Sequence, residues 1–233
     1  MEGLSTIQKI AVFALPILFA ITVHEAAHGW SANRLGDTTA KMLGRVTFNP
    51  FKHIDPIGTI AVPLVLVILA KLGGTPLFLF GWAKPVPVNW HNLGNPRRDM
   101  ALVALAGPGA NLLMAILWAL AIKLGVELLN TLEWMAIPLI YMGVAGILIN
   151  LVLMVLNLMP ILPLDGGRVL NSLLPARLAV LYARMEPFGL LIIVLLLMTG
   201  ILGKILWPLV DFFMGLLPIP ELLLQRLIQF LLM

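Results

Sequence analysis

Near the end of an apolar stretch, His24-Glu25-Ala26-Ala27-His28 sets two imidazoles four residues apart. On a helix that spacing is about one turn, so both rings stand on one face, as two ligands of a single Zn²⁺ require. The glutamate beside the first histidine is then near the metal without being a ligand, where it can take a proton from water. With this composition, a chance HxxxH with Glu second is expected only about 0.002 times per sequence. The match is specific; the alternative is that two histidines and a glutamate decorate an interfacial helix end, against which stands the nearly all-apolar stretch before them.

A catalytic zinc keeps three protein ligands and one open position. Cysteine is absent, so the third ligand must be a His, Asp or Glu at the same depth. Asp165 is the candidate, in Asn157-Leu-Met-Pro160-Ile-Leu-Pro163-Leu-Asp165-Gly166-Gly167. Two prolines three apart cannot continue a regular helix, so an extended backbone is expected, with Gly166 and Gly167 allowing a sharp turn that aims the carboxylate. Irregular backbone at membrane depth requires cover by protein or a wet cavity. The alternative is that Asp165 simply belongs to a polar loop after a span.

These residues must be positioned by membrane helices. Of 233 residues, 61% are apolar and 11% charged, with a mean hydropathy of +1.02, which excludes soluble, disordered and fibrous classes. At roughly 20 residues per crossing, four to six passes fit, with no room for a large extramembrane domain. The +4 net charge is spread between apolar segments, a topology signal rather than a nucleic-acid footprint. The first apolar stretch lacks a cleavage site and is read as a retained helix rather than a signal peptide.

Spans are expected at about 7–30, 100–124, 137–159 and 188–206, with an amphipathic stretch over 168–186 and a tail from Pro220 that suits a surface helix or an oligomer contact. Connections 31–56, 83–99 and 166–186 carry ten of the fifteen basic residues, which puts all three in the cytoplasm and the N-terminus outside. Segment 57–82 must then cross an even number of times or not at all. Its short apolar run, followed by Gly73-Gly74 and Pro76, predicts a re-entrant or bent hairpin, with a span plus a short return as the alternative. HEAAH, Asp165 and Gly107-Pro108-Gly109-Ala110-Asn111 all fall in one layer near the cytoplasmic face. No internal repeat or linker is seen, so one domain is expected over 1–233, with a catalytic core at about 7–170 and C-terminal helices at about 171–233.

The chain resembles the site-2 proteases, intramembrane zinc metalloproteases of the M50 class. HEAAH matches that family's HExxH, NLMPILPLDG its NxxPxPxxDG, and AGPGAN at 106–111 its AGPxxN. Asp55-Pro-Ile-Gly-Thr and Gly81-Trp-Ala-Lys-Pro-Val-Pro-Val-Asn89 further resemble the short prokaryotic subgroup, without a PDZ or CBS module. The resemblance implies an all-α polytopic membrane protein, with four to six transmembrane or re-entrant segments around a three-helix catalytic core and a short β-like membrane-associated loop. It implies one Zn²⁺ per chain on His24, His28 and Asp165, with Glu25 as base. Asn111 and Asn157 would hold the substrate carbonyl or its oxyanion, although Asn157 could instead satisfy backbone freed by the prolines. Single-span membrane proteins in the prokaryotic plasma membrane would be the substrates, the lipid bilayer the other partner, and a homo-oligomer is possible.

A helical substrate must be unwound before attack, and the β-prone 44–48 and Lys84–Asn89 are candidate edges for pairing with it; ordinary interfacial loops are the alternative. His53 and His91 are expected as interfacial polar residues, and Trp82, Trp90 and Trp207 as belt residues. Two other functions compete. A metal carrier would need polar groups through the whole membrane depth, often with repeats. A non-catalytic client-binding relative would not need every catalytic position intact.

Overall fold

Among the described residues, three segments are long and apolar enough to cross a bilayer: Ile10–Arg34, Pro96–Leu128 and Glu133–Asn157. At about 1.5 Å per residue each exceeds the roughly 30 Å of a hydrocarbon core, and the chain is an all-α polytopic integral membrane protein. The computed structural model describes residues 5–73, 81, 83–219, 224 and 228. Its α-helices are α1 (Thr6–Arg34), α2 (Thr39–Met42), α3 (Val62–Gly73), α4 (Pro96–Leu128), α5 (Glu133–Asn157), α6 (Asp165–Leu173), α7 (Ala176–Ala183), α8 (Glu186–Met198) and α9 (Ile201–Gly215).

The long helices start at sequence-encoded caps. Ser5 and Gln8 form a reciprocal capping box at α1, and Asn95 caps α4 with Pro96 in its first turn. Both arrangements satisfy or avoid backbone donors that a helix start leaves orphaned. Helices α4 and α5 then pack closely through small residues. A Cβ on Gly146 would run into the Trp118 ring, one on Gly143 into Ile122, and one on Gly125 would lie 2.7 Å from Ile140 Cγ1. Lipid offers no hydrophobic drive for helix association, so such close van der Waals contact is what holds the pair.

One core joins both ends of the described chain. Val12 of α1, Ala115 and Ile122 of α4, Val144 and Leu151 of α5, and Leu206, Val210 and Met214 of α9 are buried together. Leu224 lies in this same core and Ile228 packs against it, so these two tail residues face inward rather than outward. The rest of the tail from Pro220 lies outside the described residues.

The structure departs from expectation at three of four places, and at the other, segment 57–82, it describes the first arm and Gly81. The single span at 188–206 is broken: α8 ends at Met198, and Gly200, at φ +72°, starts α9. Only glycine adopts that conformation freely, and an apolar run conceals it. Helix α8 instead follows α7 across a 64° bend, and the pair counts as a fourth span only if taken together. Second, segment 57–73 is helical, a π-helical stretch at Pro56–Ala61 leading into α3, which both the hairpin and the span with a return allow. The expected turn at Gly74–Pro76 and the return through Trp82 lie outside the described residues, apart from Gly81.

Third, neither β-prone segment forms a strand; no strand occurs among the described residues, and 46–48 is a bend. Fourth, His53 is buried and its Nε2 donates to Thr47 O at 3.0 Å, closing its own loop rather than facing the interface. His91 and Trp207 are exposed, whereas Trp90 is stacked by Arg168 at 5.2 Å.

Because α1, α4 and α5 alternate in direction, the connections after α1, before α4 and after α5 share one end of the bundle. With no native cysteine, single-cysteine labelling tests this cleanly. Cysteines placed at the exposed Lys41, His91 and Arg177 should label from one side, and one at Asn130 from the other. Opposite accessibility of 41 and 91 would refute the arrangement.

Candidate metal centre

Helix α1 carries His24 and His28 one turn apart, and α4 crosses it antiparallel against the same face. The contact is possible because residue 107 has no side chain: a Cβ there would collide with His28 Nε2 and lie 2.6 Å from His24 Cε1. Gly107 of the AGPGAN motif is therefore the floor of the imidazole pocket.

Each ring is anchored through Nδ1. His28 Nδ1 lies 2.7 Å from Val103 O, and a carbonyl can only accept, so Nδ1 carries the proton. His24 Nδ1 lies 2.6 Å from Asn111 Oδ1. The amide is turned that way because its Nδ2 donates to Ala20 O at 3.2 Å and to Asn150 Oδ1 at 2.9 Å. Both rings thus present an unprotonated Nε2 to the same space.

The third group arrives from beyond α5. After Asn157 the chain runs irregularly to Leu164, and Asp165 opens α6 as its first residue. Gly166 and Gly167 serve close packing more than a turn: a Cβ on the first would strike Leu158 O and one on the second would lie 2.5 Å from Leu162 N. Helix α8 covers this segment, its Gly189 lying directly on Leu162 O and its Ile193 buried with Met159. Irregular backbone is tolerated at such depth when protein covers it.

His24 Nε2 and His28 Nε2 stand 3.0 Å apart, and Asp165 Oδ2 lies 3.3 Å and 3.4 Å from them. Ligands about 2.0–2.1 Å from a tetrahedral zinc are separated from one another by about 3.3 Å. All three residues are buried, and with both Nε2 atoms unprotonated, Oδ2 is left without a hydrogen-bond donor. Two lone pairs and an anionic oxygen gathered away from water call for a cation among them. His24, His28 and Asp165 could hold a metal ion, and the two-nitrogen, one-oxygen donor set suits zinc.

Glu25, one residue on from His24, is rotated about 100° around α1 and meets a different element. Its Oε2 accepts from Val86 N at 2.8 Å. Residues 83–89 form a strap without regular secondary structure, kept extended by Pro85 and Pro87. The strap is fastened along its length: Lys84 N donates to His53 O at 2.9 Å, Arg45 Nη2 donates to Lys84 O at 2.8 Å, and Asn89 N donates to Asp37 Oδ2 at 2.7 Å. Burial pushes the Asp37 carboxyl up, but hydrogen bonds from Thr39, Asn92 and Asn89 outweigh it and hold the group below the usual carboxylate range. Of the strap's five N–H groups, those of Lys84, Val86 and Asn89 are thus already bound, which leaves little edge for pairing with a client.

The amides divide. Asn111 is fully buried with both Nδ2 hydrogens engaged, so the oxyanion role expected of it is corrected to support of His24. Asn157 is half-buried and donates one hydrogen to Leu153 O of its own helix at 2.9 Å, which leaves the second hydrogen for another acceptor. Sequence reasoning missed Val86, Val103 and Asn150; only Asn150 carried a signal, an amide inside the apolar run of α5.

The family model described as Peptidase family M50 matches residues 126–200. The chain is 35% identical to YwhC of Bacillus subtilis (strain 168) over 201 residues, 84% of each chain. It is 28% identical to Rip2 of Mycolicibacterium smegmatis over 215 residues, 91% of this chain and 77% of that one. Both relatives carry the name "Putative zinc metalloprotease". No solved structure matches the chain.

Two substitutions test this geometry. Gly107→Ala should remove zinc binding while helical circular dichroism is retained, since its methyl lands on both rings; normal zinc content would show that α4 yields there. Val86→Pro suits the extended strap but deletes the donor to Glu25. It should lower kcat by about tenfold or more, in line with the effect of small misplacements of reacting groups, with zinc stoichiometry unchanged. Unaltered kcat would mean that the Val86 contact does not orient Glu25.

Proposed function

Starting from a chain that belongs to peptidase family M50, and so is a zinc metalloprotease, we propose that it hydrolyses a peptide bond within or near a transmembrane helix of a single-span client. The observation that carries this reading is the placement of His24, His28 and Asp165 where α1, α4 and the covered segment after α5 meet. Two of the three ligands lie on a membrane-spanning helix. A metalloprotease acting on soluble substrates gains nothing from ligands at that depth, whereas a client helix lies there by construction.

In this reading His24, His28 and Asp165 hold the zinc, which supplies Lewis acidity toward water and the scissile carbonyl. Glu25 keeps one carboxylate oxygen on Val86 N and offers the other as proton acceptor, later returning the proton to the leaving amine. Asn157 offers its second amide hydrogen to the substrate carbonyl as negative charge develops. Lys and Arg crowd the connections at the end of the bundle where Asp165 lies, which orients that end to the cytoplasm of a prokaryotic plasma membrane.

Co-expression with candidate single-span clients tests the proposal. Glu25→Gln should bind one zinc per chain as wild type does while cleavage falls by about 10²–10⁴, the range that general acid–base catalysis contributes. Equal cleavage by the variant would remove Glu25 from the mechanism. Zinc accumulation in vesicles without proteolysis would favour a carrier.

A further inference from the structure

Asn150 lies in the C-terminal half of α5, fully buried, and its side-chain hydrogen bonds go to Gly146 and Asn111 rather than to the metal ligands or the strap. Its Nδ2 donates to Gly146 O at 2.8 Å, and because that carbonyl can only accept, Oδ1 is forced to point the other way, at Asn111 Nδ2 2.9 Å distant. Asn111 in turn faces His24 Nδ1 with Oδ1 at 2.6 Å. The direction of every bond in this relay is set at its ends by two backbone carbonyls, Gly146 O and Ala20 O, neither of which can reverse.

We propose that Asn150 is a positioning residue for the metal centre: it locks the Asn111 amide, and through it holds His24 in the tautomer whose Nε2 is free to bind zinc. This rests on the reading of His24 as a zinc ligand. Without Asn150, Asn111 Nδ2 keeps only its longer bond, 3.2 Å to Ala20 O, and because an amide is nearly symmetric in shape, a group held by that one bond can turn its nitrogen toward His24. A donor facing Nδ1 favours the ring form protonated at Nε2, which cannot bind metal through that atom. Outer partners of a metal-bound histidine typically govern affinity by 10–100-fold. Here the partner of the partner stands on a third helix, so α5 sets the ring of α1 through α4.

Zinc affinity of the full chain in detergent, by competition with a chelating dye, tests the proposal. Asn150→Leu should weaken binding about 10–100-fold. Asn150→Asp should stay within about threefold, because a neutral carboxyl in that site donates to Gly146 O and accepts from Asn111 as the amide does. Asn111→Asp gives the discriminating background: a carboxylate accepts through either oxygen, so adding Asn150→Leu to it should cost less than about threefold. Should Asn150→Leu fail to fold, Asn150→Ala carries the same comparison.

Wild-type affinity in Asn150→Leu, or an undiminished loss in the Asn111→Asp background, overturns the proposal and leaves the zinc reading standing. Wild-type affinity in His24→Ala overturns the reading itself.

Discussion

Two imidazoles inside a membrane bundle each need an acceptor for one N–H, and no bulk water is there to provide it. Val103 O and Asn111 Oδ1 meet that need. To reach them, α1 and α4 must approach closely enough that residue 107 carries no side chain, and they must run antiparallel so that His24 meets 111 while His28 meets 103. The same two bonds decide the chemistry, because a ring protonated at Nδ1 exposes Nε2. Helix register, close packing and metal-binding capacity are therefore one constraint seen at three scales.

The third donor obeys a different logic. A carboxylate cannot be carried in the middle of an apolar span at low cost, so it comes from just past the end of one. The prolines at 160 and 163 stop α5, and Asp165 appears at the first residue of a new helix, where the N-terminal dipole favours negative charge. The irregular stretch between them has to be shielded, and α8 does so with a glycine at its contact point. The break at Gly200 then lets the chain turn from covering this loop in α8 to packing on α5 in α9.

What the sequence revealed was whatever is encoded locally. HEAAH is a spacing on one helix, and the proline-flanked Asp165 is a spacing on one loop, so both were legible, as were the three long spans from their apolar runs. Gly107 was visible as part of a motif, but its purpose was not, since it depends on which residues of α1 lie opposite. Asn111 was read as a substrate contact because an amide near a metal suits that role. Only the direction of its bonds to Ala20 O and Asn150 shows that its donors are occupied. The strap was legible as extended, from Pro85 and Pro87, but its fastening by Arg45, Glu25 and Asp37 joins residues 39 to 61 positions apart in sequence. The strand expectation failed for the same reason: β-branched residues at 46–47 favour a sheet only where a partner strand exists.

Helix α1 divides its labour by angle. One side gives both imidazoles to the metal pocket, and the adjacent side gives Glu25 to the strap, so metal binding and base positioning are supported by different elements and can fail separately. The strap's consumed donors carry a further implication for the proposed reaction. A segment most of whose N–H groups already bind its own protein cannot offer much pairing energy to an incoming chain, so unwinding of a client must be favoured elsewhere. Glycine or proline in the client lowers that cost directly, since either weakens the helix at the bond to be exposed. Under the proposed function, selectivity would then follow local helix weakness at the depth of the metal centre more than a long recognition sequence.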